Sequence, residues 1–140
     1  MKFVADVMLG KLARLMRLAG YDVEYDSGAE DAALQKRSSR RVLLTKDRQL
    51  AQSATRVHFV RSTGAENQFA EIRRLFTLPR TAKARCSVCN LKIRRISKEK
   101  IRHLVPPYVF QTSRQFYLCL RCKRVYWSGT HLDRILAMIK

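Results

Sequence analysis

The chain has 140 residues, 46% of them hydrophobic, and its 29 lysines and arginines against 11 aspartates and glutamates give a formal net charge of +18. This length has room for one modest domain and a smaller second one, and so large an excess of positive charge favours a polyanionic partner, above all nucleic acid. A run of about 20 apolar residues that could span a bilayer is absent, and Asp6 interrupts the apolar start that a signal peptide needs. We therefore expect a cytoplasmic protein that makes no membrane contact.

The first 78 residues alternate between strand-like and helix-like patterns. Strands are predicted at residues 3–5, 21–25, 42–45 and 57–60. Helices are predicted at residues 9–19, 29–37, in a short turn through 50–51, and at 66–76. Gly20 stands where a left-handed cap ends the first helix. Strict alternation of this kind predicts an α/β fold, in which helices flank a parallel sheet.

Two aspartates follow predicted strands of this sheet. Asp6 comes directly after the first strand, and Asp47 comes shortly after the third. Open parallel sheets hold their active sites at the carboxyl ends of the strands, so the two carboxylates could face each other there. A bound Mg²⁺ or Mn²⁺ would relieve their repulsion and could activate water against a phosphodiester. The alternative is that Asp6, Asp47 and likewise Asp31 serve only as caps or first-turn acids of the following helices.

The four cysteines of the chain form two Cys-x-x-Cys pairs with 29 residues between them. The pairs are Cys86 with Cys89 and Cys119 with Cys122. Two thiolates at this spacing lie on one tight turn, and two such turns complete a tetrahedral Zn²⁺ site. Strand-like stretches at 116–118 and 125–127 flank the second pair, which is the plan of a zinc ribbon. A short helix is predicted at 132–139.

The cysteines also divide the chain into three parts. Residues 1–78 are predicted to form the α/β domain, 79–84 a linker, and 85–140 the zinc ribbon with its C-terminal helix. The ribbon is the more basic part, since only two of the eleven acids lie beyond residue 85. It therefore extends the surface that could attract a polyanion.

Several stretches in both halves resemble the Mut-7 C-terminal RNase family. In the first half these are FVADVMLGKLAR (3–14), RLAGYD (17–22) and RVLLTKDR (41–48). In the second half they are RCSVCN (85–90), VPPYV (105–109) and CLRCKRVYWSGTH (119–131). The resemblance covers nearly the whole chain, and it implies a PIN-like RNase domain joined to a zinc ribbon.

The resemblance also implies a metal-dependent ribonuclease that cleaves RNA phosphodiester bonds with activated water. Asp6 and Asp47 match the strand-end acids of the family. The family usually has a third acid at the start of its second helix, for which Asp31 is the best match and Glu30 and Asp26 are alternatives. These acids would hold catalytic Mg²⁺ or Mn²⁺, while the cysteines would hold structural Zn²⁺.

Basic side chains in both halves are candidates for contacts with RNA. These are Lys11, Arg14, Arg17, Lys46, Arg48, Arg94, Arg95, Lys98 and Lys100. Aromatic residues of the ribbon, such as Tyr108 and Tyr117, lie among arginines as a base-stacking surface would, although the core of a ribbon also needs aromatic residues. The alternative function is a non-catalytic RNA-binding module associated with tRNA or the ribosome. His131 is expected to be a packing residue, and His58 a core or surface residue rather than a catalytic one.

Overall fold

The first half of the chain forms an open parallel sheet in a computed structural model that describes residues 1–79 and 82–129. Its strands are β1 (Lys2–Ala5), β2 (Asp22–Tyr25), β3 (Val42–Thr45) and β4 (Val57–Phe59). The helices of this half are α1 (Gly10–Ala19), α2 (Asp31–Arg37), α3 (Arg48–Ser53) and α4 (Ala65–Leu75). All the strand pairs are parallel, in the order β2-β1-β3-β4. Strands β1 and β3 are therefore neighbours, and their carboxyl ends meet at the middle of one sheet edge.

Helix α1 shows how the local sequence sets these elements. A 3₁₀ turn, Val7–Leu9, leads from β1 into the helix, and Gly20 ends it in the left-handed conformation with φ of 108°. A Cβ atom at this position would lie 3.1 Å from the backbone oxygen of Lys83. Glycine is thus favoured here both by the backbone conformation and by the close approach of the chain that enters the ribbon.

Successive side chains of each strand point to opposite faces of the sheet, and helices cover both faces. One face packs against α1 and α4 through a large cluster that includes Phe3, Leu12, Met16, Leu44, Phe69 and Ile72. The other face packs against α2 and α3 through Val4, Leu34, Leu43 and Leu50. The loops at the carboxyl edge therefore start from strands whose positions are fixed on both sides.

The second half forms a small antiparallel sheet in the order β5-β6-β7. The strands are β5 (Arg94–Ile96), β6 (Phe116–Leu118) and β7 (Val125–Trp127), and a 3₁₀ turn (Lys98–Ile101) and helix α5 (Pro107–Thr112) join β5 to β6. One hydrophobic cluster surrounds Phe116 and Ile101, and a second contains Cys86, Ile93 and Cys119. The cysteines are therefore part of the packing of the ribbon.

The predicted fold class is confirmed: a parallel sheet flanked by helices is followed by a small ribbon with a four-cysteine cluster. Strand β5 and helix α5 were not predicted. Pro107 occupies the first turn of α5, where a missing N–H costs nothing. The predicted helix at 132–139 and His131 lie outside the described residues. No helix within residues 1–79 and 82–129 is both long and apolar enough to cross a membrane.

Candidate functional site

The four cysteines lie together at one end of the ribbon. Their sulfur atoms all lie within 4.8 Å of one another, and the Sγ atoms of Cys86 and Cys122 are 3.6 Å apart. Sulfur atoms at the corners of a tetrahedron around Zn²⁺ are about 3.8 Å apart, from a metal–sulfur distance of about 2.3 Å. The cluster therefore has the size that a tetrahedral thiolate site requires.

The two Cys-x-x-Cys turns have the same backbone conformation. Each is closed by a hydrogen bond to the first cysteine's carbonyl, from Asn90 N at 3.0 Å and from Lys123 N at 2.9 Å. Asn90 and Lys123 both adopt the left-handed conformation, with φ of 64° and 63°. The backbone N of Cys86 and that of Cys119 each donate to a residue five positions on, at 2.7 and 3.0 Å. Two equivalent turns, one from each side, thus present two thiols each.

The electrostatics of the cluster favour a bound cation. Burial works to raise the pKa of Cys86, but the Tyr126 hydroxyl at 3.0 Å and nearby backbone N–H groups outweigh it and lower this pKa to about 7. At Cys89, burial and the adjacent thiols Cys122, Cys86 and Cys119 raise the pKa to about 12. The neighbouring thiols thus oppose the ionisation of Cys89 unless a positive ion neutralises them. The donor set and spacing fit Zn²⁺, so the four cysteines could hold a metal such as zinc.

The first cysteine turn is hydrogen-bonded to the free edge of the parallel sheet. Arg17, only 5% exposed, donates from Nε to the Val23 carbonyl at 2.8 Å and from Nη1 to the Ser87 carbonyl at 2.9 Å. Asn90 receives the Val23 N–H at 3.1 Å and donates to Asp22 Oδ1 at 2.8 Å. The cysteine turn therefore continues the hydrogen bonding of β2 beyond the sheet.

This geometry does not support the prediction that Arg17 contacts RNA. Its guanidinium is buried and donates its hydrogen bonds to backbone carbonyls of β2 and of the cysteine turn. Asp22, the first residue of β2, takes part in the same set of contacts. Although burial works to raise the pKa of Asp22, hydrogen bonds from Arg41 and Asn90 and the nearby Arg85 lower it. These residues hold the two halves of the protein together.

Asp6 and Asp47 meet at the carboxyl edge of the parallel sheet through one intervening side chain, Thr45. The Thr45 hydroxyl donates to Asp6 Oδ2 at 2.8 Å and accepts from the Asp47 backbone N–H at 3.0 Å. Asp6 is 4% exposed, and Thr45 is fully buried. A single hydroxyl thus fixes one carboxylate and the loop that carries the other.

Both acids also cap the structures that follow them, so the capping interpretation is confirmed for each. Asp6 Oδ1 accepts the N–H of Val7 at 2.6 Å, and Asp47 Oδ1 accepts those of Gln49 and Leu50 at 2.8 and 3.2 Å. Capping does not use up these carboxylates, because each oxygen can accept more than one bond. Within the described part of the chain, Oδ2 of Asp47 receives no hydrogen bond. The two acids therefore retain lone pairs of the kind that Mg²⁺ or Mn²⁺ prefers.

The structure does not bring the predicted third acid into a tight cluster with these two. In the described ranges, the four cysteines form the only group of three or more His, Cys, Asp or Glu residues whose ligand atoms lie within 4.8 Å of one another. Asp31 and Glu30 are exposed at the start of α2. Asp26 directly follows β2, the strand that pairs with β1. Its carboxylate accepts the Gly28 N–H at 2.9 Å.

The remaining basic candidates fall into two groups. Lys11, Arg14, Arg48, Arg94, Arg95 and Lys100 are exposed. The other two make contacts inside the protein: Lys46 Nζ donates to the carbonyls of Val60 and Ser62, and Lys98 Nζ lies 4.6 Å from the centre of the Phe110 ring. Exposure leaves the first group available to a polyanion, whereas Lys46 mainly fixes the loop after β4.

Sequence reasoning missed two supports of this edge. Thr45 was interpreted only as the end of a strand, and Glu71 only as a helix residue. Glu71 is 7% exposed and accepts from His58 Nε2 at 2.7 Å and from the backbone N–H groups of Arg61 and Ser62 at 3.1 and 2.8 Å. Burial works to raise its pKa, but these bonds lower it to about 2. The sequence offered no clear signal for Glu71, because its helical neighbours Gln68 and Arg74 are polar as well.

The molecule thus combines a parallel sheet that carries acids at its carboxyl edge with a ribbon whose four thiols could hold a metal. The model of the Mut7-C RNAse domain family matches residues 1–139, and the chain belongs to this family. Neither the search of curated proteins nor the search of solved structures gave a match. Family membership suggests a ribonuclease, with RNA as its substrate.

Proposed function

We propose that the protein is a metal-dependent ribonuclease and that its reaction takes place at the carboxyl edge of the parallel sheet. The observation that carries this proposal is the unit Asp6–Thr45–Asp47, in which one buried hydroxyl orients a buried carboxylate and the backbone of a second acid. Capping alone would not require Asp6 to be bonded to the neighbouring strand. Membership in an RNase family supports the same assignment.

Asp6 and Asp47, with Asp31 as the best third candidate, would hold one or two Mg²⁺ or Mn²⁺ ions. When bound, such ions supply charge neutralisation at the phosphate and lower the pKa of an attacking water. Asp6 is held in position by the Thr45 hydroxyl and the Val7 N–H. Asp47 is held by its capping bonds, both of which use Oδ1. Glu30 and Asp26 remain alternatives for the third position.

The exposed basic residues would position the RNA backbone around this edge. Lys11 and Arg14 lie on α1, which follows Asp6, and Arg48 follows Asp47 directly. On the ribbon, Arg94, Arg95 and Lys100 are exposed, and Lys98 is half-buried. Their charges would attract phosphates without reading the sequence, so affinity should fall steeply with added salt.

In this proposal the ribbon is a structural and RNA-binding unit rather than a catalytic one. Four thiols fill the coordination of a tetrahedral ion, so a zinc ion held by them keeps no open position for substrate. We assign residues 1–78 to the catalytic domain, 79–84 to the linker and 85–140 to the ribbon. The bonds from Arg17 and Asn90 across the boundary would fix the ribbon relative to the acids. We expect the protein to act in the cytoplasm.

The test is cleavage of a labelled RNA in the presence of Mn²⁺ or Mg²⁺. Asp6→Asn and Asp47→Asn should each lower the rate by at least about 100-fold, because an amide is a poor ligand for these ions. Glu66→Gln removes an exposed acid of α4, at the helix start, and serves as the matched control. Equal rates for the wild type and both aspartate variants would contradict the catalytic assignment.

A non-catalytic RNA-binding module is the second candidate, and one observation favours it. Both acids already have structural roles as caps, and no third acid joins them within 4.8 Å in the described residues. Such a module, associated with tRNA or the ribosome, would bind RNA equally well with and without Mg²⁺. RNA left intact by the wild type in Mn²⁺ and in Mg²⁺ would support this second function.

A further inference from the structure

An aromatic side chain beside the acid edge has no place in the cores of the protein. Phe59 is half-buried on β4, the outer strand of the sheet, yet among the described residues it belongs to none of the four hydrophobic clusters. Its neighbour His58 points toward α4, where it bonds Glu71. Alternation along the strand directs Phe59 to the opposite face, toward α3.

The ring of Phe59 lies in an open groove of positive charge. The groove has a volume of about 560 Å³, and its lining residues are Arg48, Ala51, Gln52, Phe59 and Arg61. The Arg48 guanidinium carbon is 5.6 Å from the centre of the ring, a cation–π distance, and Arg61 lies just beyond the carboxyl end of β4. No carboxylate lines this groove in the described part of the chain. Its chemistry therefore suits a flat, aromatic and negatively charged ligand.

The groove adjoins the proposed reaction centre through the sheet itself. Phe59 is the register partner of Thr45, whose hydroxyl bonds Asp6. Paired strands are about 4.8 Å apart, and register partners point to the same face. Arg48 is the residue that follows Asp47. The groove thus lies on β4 and α3, next to the loop that carries Asp47.

We propose that the groove of Phe59, Arg48 and Arg61 binds one unpaired nucleotide of the RNA substrate. The base stacks on the Phe59 ring beside the Arg48 guanidinium, and the phosphate pairs with Arg61. A base inside a duplex is already stacked on both sides and cannot reach this ring. The groove therefore makes the protein prefer single-stranded RNA. The role of the groove in substrate binding rests on the proposed ribonuclease function, but RNA can bind in the groove without being cleaved.

The first test is the affinity for a labelled ten-nucleotide RNA, alone and annealed to its complement, without added divalent ions and at fixed salt. Phe59→Ala should weaken binding of the single strand roughly 5- to 150-fold, the range that loss of one base–aromatic stack gives. Phe59→Leu keeps apolar bulk without the aromatic face and should lose most of the same affinity. Duplex binding should change by less than about twofold in both variants.

Two controls separate stacking from folding and from charge. Val57→Ala shortens an exposed side chain of the same strand and should leave RNA binding unchanged. Arg40→Ala removes one exposed positive charge elsewhere and should weaken single-stranded and duplex RNA equally and slightly. The second test uses the wild type: RNA with 5-iodouridine, cross-linked by light, should label the peptide that contains Phe59. This test stands even if the Phe59 variants fail to fold.

Unchanged single-strand affinity of a folded Phe59→Ala variant would overturn the proposal, as would equal losses for single and double strands. Cross-links confined to the ribbon would overturn it too. The proposed catalysis is tested separately from the groove. If Phe59 governs single-strand binding but Asp47→Asn changes no cleavage, only the ribonuclease function is wrong. If Asp47→Asn abolishes cleavage while Phe59→Ala binds normally, only the groove is wrong.

Discussion

The sulfur cluster and the acid edge differ in how completely the polypeptide assembles them. The four sulfur atoms already lie within 4.8 Å of one another on two equivalent turns. At the acid edge, two carboxylates are fixed by one hydroxyl and by capping bonds, while Asp31 stays exposed at the start of α2. A closed set of ligands suits an ion that holds structure, and an open set suits one that must admit substrate. In the proposed function the two regions would therefore divide structural and chemical roles between them.

The largest expected effect is at the sulfur cluster. Cys119→Ser should abolish zinc binding and unfold the ribbon, because structural Zn²⁺ contributes on the order of 10 kcal/mol to folding in small metal-stabilised modules. RNA affinity should fall with it. The measurement is metal content per protein together with the amide exchange of β6 and β7. Ser87→Ala, which loses only a bond to the Tyr126 hydroxyl, is the control and should keep its zinc.

If Cys119→Ser abolished cleavage while the ribbon stayed folded and bound RNA, the division of roles would be wrong. The cysteines would then take part in the chemistry, and the comparison between a closed structural site and an open chemical one would no longer hold.

The contribution of Glu71, which holds the loop after β4, to the stability of the protein should depend on pH. The pKa of Glu71 is about 2 in the folded protein and about 4.5 in the unfolded chain, so its stabilisation is full above pH 4.5 and is lost as the pH falls toward 2. Glu71→Gln should therefore lower the free energy of unfolding by up to about 3 kcal/mol at pH 7. At pH 3 the difference from the wild type should be less than half as large.

Urea denaturation of both proteins at the two pH values measures this difference. Since both carry the same cysteines, loss of zinc in acid affects them equally and cancels from the comparison. A difference that is the same at pH 7 and pH 3 would show that Glu71 acts through packing and not through its charge.

The sequence was sufficient for features that depend on neighbours along the chain. Alternation predicted the parallel sheet, Gly20 the end of α1, and the Cys-x-x-Cys spacing the thiol cluster. It was insufficient where contacts join distant residues. Arg17 falls on the same helical stripe as Lys11 and Arg14, and only the cysteine turn 70 residues away removes it from solvent. Likewise, the role of Thr45 depends on β1 lying beside β3.

Arg17 also provides the test of the joint between the two regions. Arg17→Met keeps the length of the side chain but leaves the carbonyls of Val23 and Ser87 without a donor, which should destabilise the protein by about 2–3 kcal/mol. Arg14→Met, on an exposed turn of the same helix, should change stability by less than about 0.5 kcal/mol. Urea denaturation measures both. If Arg17→Met weakened RNA binding without loss of stability, Arg17 would belong to the RNA surface after all.

The smallest expected change in stability falls at the acid edge, where the effect on activity should be large in comparison. Thr45→Val replaces the hydroxyl with a methyl group of similar size, so Asp6 loses a donor and the Asp47 N–H an acceptor, at a cost of about 1–2 kcal/mol. Because Asp6 then keeps only the Val7 N–H bond at Oδ1, its second oxygen is no longer oriented, and cleavage should fall roughly 10- to 100-fold, the usual cost of losing a residue that orients a metal ligand. Thr45→Ser retains the hydroxyl and should restore most of the rate. Stability comes from urea denaturation and rates from RNA cleavage in Mn²⁺. A Thr45→Val protein that is destabilised but cleaves at the wild-type rate would mean that this hydroxyl supports folding alone, and that the acid edge is as purely structural as the sulfur cluster.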